Sequence, residues 1–220
     1  MKFGIHNPSW LFGPDPAEAF EAVKAKAQWA ENHGFVWLSV MDHLIQIGGV
    51  GAPDEPFMEG WTVLSALAAV TSRIRLATLA TSVGYRNPAH LAKIAAGVDL
   101  ISRGRLTLGI GAGYLEAEYR QYGWEFPARP AVRIRQMEEA VRLILAMWTE
   151  KQTTFHGRYF NVEDAIGRHA AFRMSGQTPR NGSSKGGRQS SGSGARLVSS
   201  VSLVRDHIST PGRESPPPGR

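Results

Sequence analysis

The 220-residue sequence contains no cysteine, which excludes disulfides and thiolate-bound zinc and suits a reducing compartment. It has no apolar run approaching the roughly 18–20 residues that span a bilayer, and even the apolar stretch 61–72 falls far short. The N-terminal MKFGIHNPSWLF lacks a hydrophobic core of signal-peptide length. A cytoplasmic location and no membrane partner are therefore expected. Acidic residues are scarce in one region only: residues 167–220 hold 9 Lys+Arg against 2 Asp+Glu, a net charge of +7, whereas residues 1–166 hold 16 and 17, a net of −1. The whole +6 excess of the chain thus sits in its last quarter. That quarter is rich in Ser, Gly, Arg and Pro, ends in GRESPPPGR and has no sustained apolar periodicity beyond 197–204, so it is expected to be disordered. A basic tail can hold nucleic acid by screened electrostatics. This one lacks interleaved aromatics and a folded platform, so no nucleic-acid partner is expected.

What is present is organised around residues 73–114. RIRLATLATSV reads as a strand apolar on both faces, as in a parallel sheet covered by helices. Asn87-Pro88 fits an N-cap followed by proline at the first helical position, and Leu91, Ile94, Ala95, Val98 and Ile101 recur at helical spacing up to Gly104. A second strand, 105–110, enters Gly111-Ala112-Gly113, where backbone could approach a ligand closely. The rest repeats this pattern. A strand at 3–6 precedes a helix opened by Asp15-Pro16-Ala17-Glu18 with an apolar stripe Phe20, Val23, Ala27 and Ala30. A strand at 35–41 ends at Asp42-His43, and the Gly- and Pro-rich segment 46–60 reads as a long loop that shapes a pocket. Helices are expected at 62–71 and 132–148, a helical turn at Glu116, Glu118 and Tyr119, and an extended hairpin at 153–162 turning at Gly157.

Four strand-then-helix units in succession indicate a parallel α/β architecture. An open doubly wound sheet closes its core with four or five strands, whereas a (β/α)8 barrel needs eight and about 250 residues; length alone favours the open sheet. Gly109, Gly111 and Gly113 form GIGAG, but the dinucleotide fingerprint requires G-x-G-x-x-G at the opening of a helix and an acidic residue about 20 positions on. The third spacing is wrong and the region around Arg133 is helical, so that motif is rejected. No nucleophile–base triad or metal-ligand cluster is evident among the seven histidines, and no metal is expected. For Trp10, Phe12 and Trp61 packing is the default over lining a pocket.

MDH at 41–43, TSVGYRNPAHLAKIAAGVDLISRGRLTLGIGAGYLEAEYRQYG at 81–123 and TFHGRYF at 154–160 together resemble the luciferase-like flavin or deazaflavin monooxygenase family, and within it the branch that uses coenzyme F420. The resemblance covers residues 1–166 and implies a (β/α)8 TIM barrel of which the first four βα units are present, followed by the tail at 167–220. The coincidence of its end with the shift in composition implies a truncated chain or a reading frame broken near Ala165. It further implies F420, or FMN as the alternative, acting on a small organic substrate. His43 would be the polar partner of the reacting centre and Asp42 would orient it, an imidazole being suited to proton transfer near neutral pH. Ser82-Val83 would lie behind the cofactor ring in a bulge with a cis peptide not involving proline. Asn87 and the turn of Gly109, Gly111, Gly113 and Tyr114 would contact the cofactor, with backbone N–H groups as donors. The competing readings are an Asp-His pair that caps its loop, an ordinary strand end at Ser82-Val83, an Asn87 that only caps its helix, and glycines that serve packing. Tyr114 stands where dehydrogenases of the superfamily commonly carry a Glu proton donor; a phenol of ordinary pKa near 10 is a poorer acid, which argues against a simple dehydrogenase. A half barrel leaves two open strand edges and an exposed face, so an inactive fragment or a homo-oligomer is the alternative outcome.

Overall fold

The computed structural model describes residues 1–10, 15–167 and the backbone of 196–198. Four parallel βα units follow one another as expected. β1 (Gly4–Asn7) leads to α1 (Ala19–Asn32), entered through a 3-10 turn that Asp15 caps by accepting the Ala17 N–H at 2.8 Å. β2 (Trp37–Val40) leads to α2 (Gly60–Val70), whose N-cap is Glu59. β3 (Arg75–Thr78) and the two-residue β4 (Thr81–Ser82) lead to α3 (Pro88–Ile101), capped by Asn87 through the Ala89 N–H at 2.8 Å. β5 (Leu106–Gly111) leads to the short α4 (Glu116–Gln121) and then α5 (Pro130–Thr149). An antiparallel hairpin, β6 (Thr153–His156) and β7 (Asn161–Ala165), completes this part, and the buried Glu139 on α5 holds its turn by accepting the N–H groups of Arg158, Tyr159 and Phe160.

Sheet order is sequential. β1 pairs with β2, β2 with β3, and β5 with both β3 and β4, all in parallel. A doubly wound sheet reverses its strand order at a switch point; here there is no reversal, and the helices pack in succession on one face of the sheet. β5 shows why: Leu106, Leu108 and Ile110 are buried in the core with Leu38, Val40 and Leu76 and with residues of α1, α2, α3 and α5, while Thr107, Gly109 and Gly111 on the other face are half-buried. The described strands form an open parallel sheet with the helices packed on one face. The opposite face of the sheet carries polar side chains beside Trp37 and Ala77. His6 bonds Ser39 (2.9 Å), and Arg75 donates to the Thr107 hydroxyl (3.2 Å) and the Leu106 carbonyl (2.9 Å).

Two expectations need correction. The strand expected over 73–83 is broken between β3 and β4, and the cis peptide sits at Leu79-Ala80, earlier than Ser82-Val83. The break occurs where the Thr78 hydroxyl, not the backbone, continues the pairing, donating to the Gly109 carbonyl (2.7 Å) and accepting the Gly109 N–H (3.1 Å). Within the tail expected to be disordered, β8 (Arg196–Val198) pairs in parallel with Thr107, Leu108 and Gly109 of β5; an edge strand offers unpaired N–H and C=O groups to any segment of extended propensity. The remainder of the tail, and Phe12, lie outside the described residues.

Asp99 on α3 is buried with one carboxyl oxygen accepting the Leu106 N–H at 3.1 Å and the other without a partner. Burial lifts its pKa to about 6, against a smaller downward pull from the Leu106 N–H and Arg75. The folded state therefore binds this proton more tightly than the unfolded chain. Its stabilising contribution is complete below about pH 4 and is lost as pH rises through about 6. Asp99→Asn is expected to gain about 1–2 kcal/mol over the native chain at pH 8 and nothing at pH 4; urea midpoints at the two pH values check this, and an equal effect at both would refute it.

Candidate functional site

The C-terminal ends of β2, β4 and β5 form one rim. β2 runs through Met41 into Asp42 and His43, and the bulge after β3 is laced to it by the Leu79 N–H on the Val40 carbonyl at 2.9 Å. α2 begins directly behind: a Cβ on Gly60 would stand 2.4 Å from the Met41 carbonyl oxygen, so only glycine lets the helix start this close to the strand end.

Asp42 is fully enclosed and held by Arg86 in a two-pronged pair, Nη1 to Oδ2 at 2.7 Å and Nη2 to Oδ1 at 2.8 Å. The same guanidinium reaches Glu59 at 2.5 Å, and Glu59 accepts the N–H groups of Trp61 and Thr62 at the start of α2. Burial pushes the Asp42 carboxyl up, with Arg86 pulling it back; Glu59 is pushed up by burial too, but its helix-capping donors and Arg86 together bring it below the ordinary range. Asp42 thus braces the rim through Arg86 and α2.

His43 is different. Its side chain retains 15% exposure, its Nδ1 lies 2.7 Å from Glu118 Oε2, and Tyr114 meets it edge-on with ring centres 5.8 Å apart. Glu118 is fully buried and also accepts the Leu44 N–H (2.5 Å), the Ile45 N–H (3.3 Å) and the Tyr85 hydroxyl. Burial raises the Glu118 carboxyl, and the hydrogen bonds from His43, Leu44 and Tyr85 outweigh it, so the net direction is downward. Tyr85 is raised, by burial first and then by the carboxylate it donates to. Behind Glu118 lies an aromatic wall in which Tyr85 stacks on Trp124 at 5.0 Å and Tyr119 packs edge-on to Phe126.

The structure brings His43, Ser82, Val83, Gly111, Gly113 and Tyr114 to this rim. Ser82 is buried and bonds the Tyr119 hydroxyl at 2.7 Å, and Val83 is core. Gly113 has φ +79°, and a Cβ there would meet the Tyr119 hydroxyl and Ser82 Oγ. Gly109 packs against the Thr78 carbonyl, where a Cβ would lie 2.2 Å away, while Gly111 leaves ordinary space, its nearest such neighbour being Ala80 Cβ at 3.6 Å. Asn87 is exposed and its side chain caps α3. Trp10 and Trp61 are buried packing residues; the Trp61 indole donates to Thr81 Oγ1 at 3.1 Å. Glu118, Tyr85, Arg86 and Glu59 were not predicted from sequence. Glu118 meets partners 33 and 75 positions away, a juxtaposition that no local pattern carries.

Leu79 is 47% exposed and Tyr114 59% exposed, Ala80 is exposed and Gly111 half-buried, and Tyr114 lies against the His43 imidazole. Pockets for flavin-sized ligands combine such apolar walls with a few polar groups. Among the described residues no group of three His, Asp or Glu could hold a metal ion, and no helix is long and apolar enough to cross a membrane.

A family model described as luciferase-like monooxygenase matches residues 1–179. The pyrimidine monooxygenase RutA of Acinetobacter baylyi is 35% identical over 173 residues, covering 74% of this chain and 46% of the relative. The RutA of a Bradyrhizobium species is 34% identical over 164 residues, covering 73% and 45%. Among solved structures, the monooxygenase RslO1 from Streptomyces bottropensis is similar with a TM-score of 0.61 and 28% identity over 76% of this chain and 49% of that one. An F420-dependent secondary alcohol dehydrogenase with an F420–acetone adduct gives a TM-score of 0.61 and 28% identity over 76% and 48%. The chain spans about half the length of the curated relatives it matches.

Proposed function

The chain belongs to the luciferase-like monooxygenase family, and from that premise we propose that its rim binds a flavin-type cofactor, F420 or alternatively FMN, as the half-site of an oxidoreductase acting on a small organic molecule. The observation that carries this reading is His43: a partly exposed imidazole at a strand end, held by Glu118 and met edge-on by the exposed Tyr114. Similarity to an F420-dependent dehydrogenase over three quarters of the chain supports F420. When bound, the ring system supplies hydride exchange or oxygen activation. The chain supplies the rest. Leu79, Ala80 and Tyr114 would support the ring, the backbone at Gly111 would face its polar substituents, and His43 would hold or pass a proton next to the reacting centre.

Fluorescence titration with F420 and with FMN tests this. Saturable binding of either is expected, with the tighter of the two identifying the cofactor; no binding of either at about millimolar concentration, a free-energy gain under about 4 kcal/mol, overturns the reading. A second reading, an inactive fragment covered by another copy, is favoured by one observation: among the described residues β1 pairs only with β2, and the described helices do not cover the face carrying His6, Trp37 and Arg75. A concentration-independent monomer with a cooperative thermal transition would count against it.

A further inference from the structure

We propose that Glu118 is a positioning residue that locks His43 as the Nδ1–H tautomer and so directs Nε2 to the open rim. The purpose of the lock rests on the reading of His43 as the polar group beside a flavin-type ring; the lock itself is a property of this chain alone.

The argument is one of donors and acceptors. An ionised carboxylate offers about four lone-pair sites and no proton. At Glu118 four donors converge on them: the N–H groups of Leu44 and Ile45 on Oε1, the Tyr85 hydroxyl and the His43 ring on Oε2. Two of these are backbone N–H groups that can only donate. A protonated Glu118 would have to give up one acceptor site in a place without water, since its side chain has no exposure. The convergent donors hold the Glu118 carboxyl below the ordinary carboxylate range, so near neutral pH it is the anion, and a contact of 2.7 Å from an anionic oxygen to Nδ1 places the hydrogen on Nδ1. With every lone pair engaged, Glu118 has no capacity left to shuttle protons; its effect on chemistry passes through His43. Because the other oxygen of the same carboxylate holds the Leu44 and Ile45 N–H groups, Glu118 fixes the backbone that carries the ring as well as the ring itself. Tyr114, edge-on at 5.8 Å, limits rotation from the other side. A carboxylate that orients an imidazole in this way decides which nitrogen is left for the reacting partner.

The test is nitrogen NMR of the intact, uniformly labelled chain, at a pH where neutral imidazole dominates, with the His43 signals assigned by their loss in His43→Gln. The expected spectrum has a protonated Nδ1 and an unprotonated Nε2. A protonated Nε2, or an average of the two forms, overturns the proposal. In Glu118→Gln the Nδ1–H preference is expected to be lost; its full retention would equally overturn it. Tyr85→Phe keeps the carboxylate and is expected to keep the Nδ1–H form, so that wild type and Tyr85→Phe decide the matter even where Glu118→Gln fails to fold. Failure of F420 and FMN to bind a chain whose tautomer is locked would remove the cofactor reading and leave this one standing.

Discussion

Arg105→Ala is expected to remove about 3–5 kcal/mol of folding stability. Arg105 opens the strand that becomes β5 and is buried, and all five of its guanidinium hydrogens are used. Nε donates to the Ser102 carbonyl (2.7 Å), Nη1 to the Thr71 hydroxyl (2.8 Å) and the Ile74 carbonyl (2.8 Å), and Nη2 to the carbonyls of Ala68 (2.8 Å) and Thr71 (2.9 Å). These acceptors include the last carbonyls of α2, which no further turn of helix satisfies, and the cation sits favourably at that negative helix end. One side chain thus ties the end of α2, the end of α3 and the start of β3 together. Burial pulls its pKa downward, a sign of the desolvation that those carbonyls must offset. Alanine would leave a cavity lined by unpaired acceptors, each costing about 1–3 kcal/mol unless water enters. Lysine keeps the charge but not the planar fork, so Arg105→Lys is expected to recover part of the loss. Urea unfolding measures both, and a loss below about 1 kcal/mol for alanine would contradict this account.

That arginine also marks the limit of what sequence could reveal. The βα units were legible because their punctuation is local: Gly34 and Gly104 end helices at positive φ, Asn87-Pro88 opens α3 with the expected cap, and the stripe of Val23, Ala27 and Ala30 is the buried face of α1. Arg105 looked like one more charge at a strand start, since its acceptors are mostly backbone atoms some thirty positions away. The same holds at the rim. His43 and Tyr114 were recognisable by resemblance, whereas Glu118 resembled any acidic residue in the first turn of a helix. The resemblance placed a bulge with a cis peptide at Ser82-Val83, and its actual position at Leu79-Ala80 was not legible because 73–83 has uniform strand composition; the Thr78 hydroxyl takes over the pairing with Gly109 there. Sequential strand order, in turn, follows from which helix stripe meets which sheet face, and periodicity gives the stripe but not its partner.

The glycines of the β5 turn separate what belongs to the fold from what belongs to the ligand. Gly109→Ala is expected to destabilise the chain by about 2–3 kcal/mol, because the new Cβ would stand 2.2 Å from the Thr78 carbonyl oxygen. That oxygen is main chain, and the Thr78 hydroxyl on the same residue already spans the gap to Gly109, so neither side can retreat without breaking the pairing of β3 with β5. At Gly111 the nearest atom would be Ala80 Cβ at 3.6 Å, an ordinary contact. Gly111→Ala is therefore expected to unfold within about 0.5 kcal/mol of the native chain, and, if a cofactor lies against that backbone, to weaken its binding. The pair of variants assigns each glycine by two measurements, urea unfolding and cofactor fluorescence titration. Native-like stability for Gly109→Ala would mean that β3 and β5 do not approach as closely as described. Unchanged cofactor affinity for Gly111→Ala would place the ring elsewhere on the rim, nearer to His43 and Leu79.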